Sequence, residues 1–270
     1  MNIRYVDAHC HIQFEQYVKD GAELIARMRE EGVAGIVVGV DYESSKRSVA
    51  LAEAHEHLFA SIGLHPNHAT DEVFDAELFR TLAAHPKVVA IGECGLDYFR
   101  DQSRRTEQAG LLQKHIELAK ELDKPLIIHA RPSSAPATAG KPSYDAYWDL
   151  IDRLKQAKEQ YPNLRGDVHF FVGGVKEAEA LIALDFTVSF TAVITFTHDY
   201  DTVIEALPLA SVLSETDAPY VAPASRRGER NDPLAAIEVV NAIARIRGED
   251  PETVRNALVA NARRLFILKR

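Results

Sequence analysis

Short apolar segments recur along the chain, and longer amphipathic segments separate them. The apolar segments lack a polar face, which is typical of strands in a parallel sheet that is covered on both sides. Segments such as Glu23–Glu31, Ser44–His57 and Arg104–Leu122 have the apolar spacing of helices that connect such strands. We expect eight strands, at Tyr5–Cys10, Gly35–Val40, Leu58–Pro66, Val88–Asp97, Pro125–Arg131, Gly166–Phe171, Phe186–Phe196 and Ala210–Pro219.

Eight repeats of strand and helix in 270 residues match an α/β protein of the (β/α)8 TIM-barrel class. We expect a single domain over residues 1–270. An open, doubly wound sheet is the alternative, but no glycine-rich dinucleotide fingerprint follows the first strand. Two helices close the chain, with Asp232 and Asp250 each preceding a proline at the first helical position.

The composition narrows the class of protein further. The formal net charge of -9 argues against a broad basic surface that grips nucleic acid, although bound metal ions would add local positive charge. Cys10 and Cys94 form no C-x-x-C motif and are expected to be small buried side chains. Neither a signal peptide nor an apolar stretch long enough for a membrane span is evident. We expect a cytoplasmic protein without a membrane partner, as a monomer or weak oligomer.

The first strand carries an unusual polar pattern in "YVDAHCHIQF". Asp7, His9 and His11 occupy alternate positions, so in a strand they share one face. Two imidazoles on one face indicate a metal, because neutral histidine is a common ligand for divalent ions. Asp7 is expected to support the two histidines from behind.

Histidines and acidic residues also fall at the ends of the other predicted strands. Those ends meet at one mouth in a barrel, and barrel active sites form there. Together with the first strand they supply six candidate ligands: His9, His11, Glu93, His129, His169 and Asp217. His65 ends the third predicted strand. The other remaining histidines, including His57 and His115, lie away from strand ends and are expected to be exposed or to cap turns.

Six ligands exceed the needs of one tetrahedral ion and suit two divalent ions, of which Mg, Mn and Zn are candidates. We expect Glu93 to bridge the ions. The first ion would take His9, His11, Glu93 and Asp217, and the second would take Glu93, His129 and His169. Such a pair suits hydrolysis of a phosphodiester, because it activates water and stabilises the attacking and leaving oxygens.

Several motifs, read in this order, resemble the TatD family of metal-dependent deoxyribonucleases. They are "DAHCHI", "IGLHP", "IGECGLDY", "IIHAR", "VHFFVGG" and "SETDAPY", followed by "RGERNDP" and the closing "NARRLF". The resemblance implies a distorted TIM barrel, a divalent-metal site and hydrolysis of DNA phosphodiester bonds, in several members as an exonuclease. It places the metal ligands at the same six residues. Unlike the usual family pattern, Phe170-Phe171 follows His169 where a Cys-Phe pair is common.

The expected substrate is DNA, as single strands or 3' ends. Asp217 would act as general base for the attacking hydroxide, and Glu93 is essential as the bridge. His65 would contact phosphate or protonate the leaving oxygen, or it caps a turn before Pro66. Arg131 would clamp a phosphate, because a guanidinium matches its geometry. Tyr98 and Tyr220 would line the cleft, unless they simply pack.

Two other functions fit parts of the pattern. One is an amidohydrolase acting on a small amide or phosphoester; such enzymes often bridge their metals with a carboxylated lysine, where this chain has Glu93. The other is a barrel that binds without catalysis, for which loss of a ligand would be expected. The loop at Arg131–Ser143, rich in Pro, Ser, Ala and Gly, is either part of the rim of the mouth or a flexible insertion.

Overall fold

The structure is a computed structural model that describes residues 2–69, 72–100, 102–133 and 145–268. Strands β1 to β8 are Tyr5–Cys10, Val33–Val38, Leu58–Ile62, Val88–Asp97, Leu126–Arg131, Gly166–His169, Phe186–Phe190 and Val212–Ser214. Helices α1 to α9 are Gly21–Glu31, Tyr42–Ala54, Ala76–Ala83, Arg105–Leu122, Asp145–Gln160, Val175–Ile182, Asp201–Ala206, Ala236–Arg247 and Pro251–Phe266.

The eight strands form one parallel sheet in which every strand pairs with the next along the chain. The sheet closes on itself through a single parallel bridge between Cys10 and Ala218. Two backbone hydrogen bonds join the same seam, from the His11 amide to the Ala218 carbonyl at 2.8 Å and from the Asp217 amide to the His9 carbonyl at 2.9 Å. The predicted single-domain (β/α)8 barrel is confirmed, and its irregular closure brings β1 and the segment after β8 together.

Several predicted boundaries differ from the structure. β7 ends at Phe190, because the Thr191 hydroxyl accepts from the Val193 amide and begins a short 3-10 turn. β8 is only three residues long, so Asp217 lies in the segment beyond it. Glu93 lies inside the ten-residue β4 rather than at its end. The pairing of β4 with β5 shifts between Ile91 and Cys94, which moves the register beside Glu93.

The alternation along β1 separates apolar from polar contacts. Val6 and Ala8 are buried in the same apolar cluster as Leu265 and Phe266 of α9. Asp7, on the opposite face, accepts hydrogen bonds from the Thr216 amide at 2.9 Å and the Thr216 hydroxyl at 2.6 Å. Asp7 therefore fastens β1 to the segment after β8, which agrees with the expected supporting role.

Two histidines that were expected to be exposed or to cap turns, His57 and His115, are buried instead. His115 in α4 donates from Nδ1 to the Leu111 carbonyl at 2.9 Å, and its Nε2 accepts from the Leu64 amide at 3.0 Å. Both ring nitrogens are thus satisfied by backbone groups in the neutral form, and the imidazole helps to hold the chain just before His65.

Other expectations concern the ends of helices and the long loop. The Asp232 carboxylate accepts from the Leu234 amide and that of Asp250 from the Thr253 amide, so the predicted caps are confirmed. Cys10 and Cys94 are buried free thiols, as expected. Most of the loop predicted at Arg131–Ser143 lies outside the described residues, and its role stays a prediction. In the part of the chain that the structure describes, no helix has the length and apolarity needed to cross a membrane.

Candidate metal centre

The seam between β1 and β8 supplies half of a buried cluster of ligands. The His9 Nε2 atom lies 3.1 Å from His11 Nε2 and 3.4 Å from Glu93 Oε2. Asp217 Oδ1 completes the group, at 3.4 Å from His11 Nε2 and 3.8 Å from His9 Nε2. These four residues are the predicted ligands of the first ion, and the fold brings them together.

The other half of the cluster comes from β5, β6 and the end of β3. His169 Nε2 lies 3.0 Å from Glu93 Oε1, and His129 Nδ1 lies 3.1 Å from the same oxygen. His65 Nε2 approaches this oxygen too, at 3.2 Å. The two carboxylate oxygens of Glu93 therefore face different groups of histidines, as a bridging carboxylate between two ions requires.

Buried partners fix which nitrogen of each histidine faces the centre. The His11 Nδ1 atom lies 2.8 Å from the Val38 carbonyl, which can only accept, so Nδ1 carries the proton. The Asp97 Oδ2 atom lies 3.4 Å from His129 Nε2, on the side away from Glu93. Metal-binding histidines typically have such an outer acceptor, which sets the tautomer and the ring orientation.

Glu215 provides this outer acceptor for two histidines at once. Its Oε2 atom lies 3.5 Å from His169 Nδ1 and 3.9 Å from His9 Nδ1, and the two rings are stacked with centroids 3.8 Å apart. Its other oxygen accepts from the Ser189 hydroxyl at 3.1 Å and from the Phe170 amide. The carboxylate is fully buried, and it faces the Nδ1 atoms of the two rings, whereas their Nε2 atoms face Glu93.

The donor set fits a divalent metal, because ring nitrogens with free lone pairs face one another at short distance. With Nδ1 of His11 protonated, its Nε2 presents a lone pair to the Nε2 of His9 at 3.1 Å. Two lone pairs at that distance repel unless a cation or a proton lies between them. The contacts of Glu215 Oε2 with His9 Nδ1 and His169 Nδ1 do not reach hydrogen-bond geometry, so these three buried atoms have no hydrogen-bond partner among the described residues. Groups of three ligand atoms suitable for a cation occur on both sides of Glu93.

The carboxylates of the centre are held ionised. Burial acts to raise the pKa of Glu93, but the neighbouring His65 and His169 outweigh it and hold that pKa well below its usual range. Burial likewise opposes ionisation of Asp217, whereas the contact with His11 brings its pKa below the ordinary value. Asp97, beside His129, has a pKa lowered to about 2 in spite of its burial. The centre therefore presents negative charge to a cation.

The predicted substrate residues divide into two groups. His65, Arg131 and Tyr220 lie at the mouth: Tyr220 is 49% exposed with its ring 6.4 Å from that of His11, and Arg131 ends β5 two residues after His129. Tyr98 is only 1% exposed; its hydroxyl donates to Asp149 at 2.9 Å, and Arg105 covers its ring. The expected place of Tyr98 in the cleft is therefore corrected, because a buried ring cannot line an open surface.

His65 reaches the centre as a hydrogen-bonding residue rather than a ligand. Its Nδ1 atom accepts from the Asn67 amide at 3.1 Å, so the proton of the neutral ring is on Nε2. Burial lowers the pKa of His65, which favours this neutral form. The Nε2–H then donates to Glu93 Oε1. His65 thus begins the turn before Pro66, as one of its two predicted roles requires, and it directs a proton to Glu93. Its contact with phosphate stays a prediction.

The sequence analysis missed Glu215 and Asp97 as functional residues. Glu215 lies two residues before Asp217 in "SETDAPY", and Asp97 lies four residues after Glu93 in "IGECGLDY". An acidic residue at even spacing from a strand-borne ligand is a signal that could have indicated them, since such residues share one face of an extended chain. The partners of each carboxylate come from other strands, which spacing alone does not reveal.

A parallel barrel with two groups of imidazoles around a shared, ionised carboxylate defines the class of metal-dependent hydrolases. The sequence model of the family described as "TatD related DNase" matches residues 6–267. The chain therefore belongs to this family, and it is a metal-dependent hydrolase, as the resemblance implied.

Relatives and solved structures agree with this assignment. The chain is 35% identical over 264 residues to the "Uncharacterized metal-dependent hydrolase YabD" of Bacillus subtilis, covering 96% of this chain and 98% of that protein. It is 31% identical over 274 residues to the "3'-5' ssDNA/RNA exonuclease TatD" of Erwinia billingiae, covering 97% and 98%. The crystal structure of the TatD homologue YjjV from Escherichia coli K12 superimposes with a TM-score of 0.87 at 32% identity and covers 99% of each chain.

Proposed function

We propose that the protein is a two-metal nuclease that removes nucleotides from the 3' ends of single-stranded DNA. The observation that carries this proposal is the division of the Glu93 oxygens between two groups of histidines. A relative of 31% identity is named a 3'-5' exonuclease of single-stranded DNA and RNA, which supports the substrate and the direction. Mg, Mn and Zn are the candidate ions.

The residues of the centre would divide the ligation as follows. His9, His11, Glu93 and Asp217 would hold one ion, and Glu93, His129 and His169 the other. When bound, two such ions supply an activated water and neutralise charge on the phosphoryl oxygens. The outer acceptors Glu215, Asp97 and the Val38 carbonyl would keep the ligating nitrogens unprotonated.

The remaining chemistry falls to four side chains around the mouth. Asp217 is ionised and 14% exposed, so it can orient the attacking water and accept its proton. His65 carries a proton on Nε2 that can hydrogen-bond to a phosphoryl oxygen. Arg131 would bind a phosphate through the edge of its guanidinium, and Tyr220 would contact the adjacent nucleotide.

The expected cytoplasmic location and the state of monomer or weak oligomer stay predictions. The two free, buried thiols are compatible with a reducing compartment. Size-exclusion chromatography with light scattering would measure the oligomeric state directly.

Cleavage of end-labelled oligonucleotides tests the proposal. Metal-stripped protein is incubated with a 5'-labelled single strand in the presence of Mg, Mn or Zn, and the products are separated on a sequencing gel. We expect a metal-dependent ladder of products that shorten from the 3' end, and no ladder with the His129→Ala, Asp217→Ala variant. Cleavage of a small phosphodiester without any cleavage of the oligonucleotide would instead favour the small-phosphoester hydrolase.

A further inference from the structure

Exposed apolar side chains gather on the loops that follow the strands. Of the eight large apolar side chains that are exposed in the described part of the chain, five lie on such loops: Val18, Val73, Phe99, Phe196 and Tyr220. In a barrel these loops surround the mouth of the active site. The mouth therefore exposes apolar side chains that could contact a bound ligand.

Two of these aromatic rings have the guanidinium of an arginine over one face. The guanidinium carbon of Arg131 lies 4.1 Å from the centroid of the Phe99 ring, and that of Arg227 lies 3.7 Å from the centroid of Phe196. Phe99 is 48% exposed and Phe196 is 38% exposed, so each pair is open to solvent. Guanidinium and ring together form a positively charged platform.

These two arginines differ from their neighbours in their ion pairs. Arg226 pairs with Asp232 at 2.7 Å, and Arg230 pairs with Asp20 at 2.5 Å. Within the described residues, neither Arg131 nor Arg227 has a carboxylate within ion-pair distance or a side-chain hydrogen bond. Among the described residues no side chain occupies their N–H groups, which can therefore bind an anion, in a protein whose net charge is -9.

We propose that the Phe99–Arg131 and Phe196–Arg227 pairs are two binding stations for unpaired nucleotides on either side of the metal centre. In each station a base stacks on the platform while the guanidinium edge binds a phosphate. This inference rests on the proposed nuclease function and names the part of the mouth that would recognise its substrate.

The position of the stations suits a strand that crosses the mouth. Phe99–Arg131 follows β4 and ends β5, whereas Phe196 and Arg227 follow β7 and β8. A strand that touches both stations passes the end of β6, where His169 meets Glu93. Only unpaired nucleotides offer free base faces, because bases in a duplex are already stacked on their neighbours.

Substitutions that keep the volume but remove the ring test the stations. The Phe99→Leu and Phe196→Leu variants are loaded with metal. The KM of each for a single-stranded oligonucleotide is then compared with the KM of the unaltered protein. Stacking of one base predicts a rise in KM of about 5- to 140-fold for each variant. The same assay is repeated with an oligonucleotide whose terminal nucleotides are abasic, on which the ratio of variant to unaltered protein should fall to about one.

Lys120→Met is the matched control. Lys120 also lies over an aromatic ring, with Nζ 3.6 Å from the centroid of Tyr161, but at the end of α4, at the opposite end of the barrel. Removal of this cation should leave the KM unchanged. The proposal is overturned if the two variants have the same KM for the normal oligonucleotide as the unaltered protein. It is also overturned if their KM rises by the same factor with the abasic oligonucleotide. If the unaltered protein hydrolyses a small phosphodiester but no oligonucleotide, the nuclease proposal fails and the stations fail with it.

Discussion

Replacing Glu215 by Gln changes the partner of two ligands while it keeps the volume of the side chain. One oxygen remains to accept from the Phe170 amide and the Ser189 hydroxyl. The Oε2 atom, however, becomes an amide NH2 that faces Nδ1 of His9 and of His169. Donor would then face donor, so each imidazole is driven to the tautomer with its proton on Nε2. That proton occupies the lone pair that faces the metal centre.

The expected loss of metal affinity depends on how many ligand histidines each outer acceptor contacts. Loss of an outer acceptor costs about 10- to 100-fold in metal affinity, or about 1.4–2.7 kcal/mol. His9 is assigned to the first ion and His169 to the second, so Glu215→Gln should weaken both ions by that factor. Asp97 contacts His129 alone among the assigned ligands. Asp97→Asn should therefore weaken only the second ion.

Stepwise calorimetric titration of the metal-stripped variants measures both binding constants. Asp167→Asn is the control, because this buried carboxyl accepts from the Thr187 hydroxyl and shares the Ser189 hydroxyl with Glu215, yet has no ion-pair contact with a ligand histidine among the described residues. Its metal affinity should match that of the unaltered protein. The reasoning is refuted if Glu215→Gln, with its fold verified by circular dichroism, binds both ions as tightly as the unaltered protein.

Three further predictions concern the bridge, the fold and the pH dependence. Glu93→Gln should lower the rate of phosphodiester hydrolysis by more than the about 100-fold expected for an outer acceptor, and unchanged hydrolysis would exclude the bridging role. Gly95→Ala should lower the free energy of unfolding by about 1–3 kcal/mol in urea titrations. Gly95 has a φ of 141°, and a Cβ there would lie 2.0 Å from the His129 carbonyl oxygen. An unchanged free energy of unfolding would contradict this. Burial lowers the pKa of His115 from 6.5 to about 4, so the unfolded chain binds the proton first as the pH falls. The unaltered protein should therefore lose up to about 3 kcal/mol of stability between pH 6.5 and 4 relative to His115→Gln, and parallel pH profiles would refute the assignment.

The sequence was sufficient to predict the barrel and to single out six residues that the fold gathers into one cluster, because both depend on local patterns. Strands buried on both faces have a distinctive hydrophobic pattern, and polar residues near their ends stand out against it. His129 and His169 illustrate this, since each lies at or next to the end of a short apolar run.

The rest depends on contacts between distant parts of the chain. Tyr98 follows a predicted ligand strand and so was placed in the cleft, but packing beneath Arg105 and the bond to Asp149 bury it. In the sequence, His115 resembles an ordinary polar residue on a helix. Its burial is explained by the hydrogen bond that it accepts from the Leu64 amide. The Glu215 carboxylate likewise acquires its role from rings that β1 and β6 bring to it.

Diffraction from crystals of the metal-loaded protein, recorded at the absorption edge of zinc or manganese, tests the central claim most directly. Two anomalous peaks on opposite sides of the Glu93 carboxylate are predicted, one beside His9 and His11 and the other beside His129 and His169. A single peak, or peaks that do not contact Glu93, would contradict the two-metal centre.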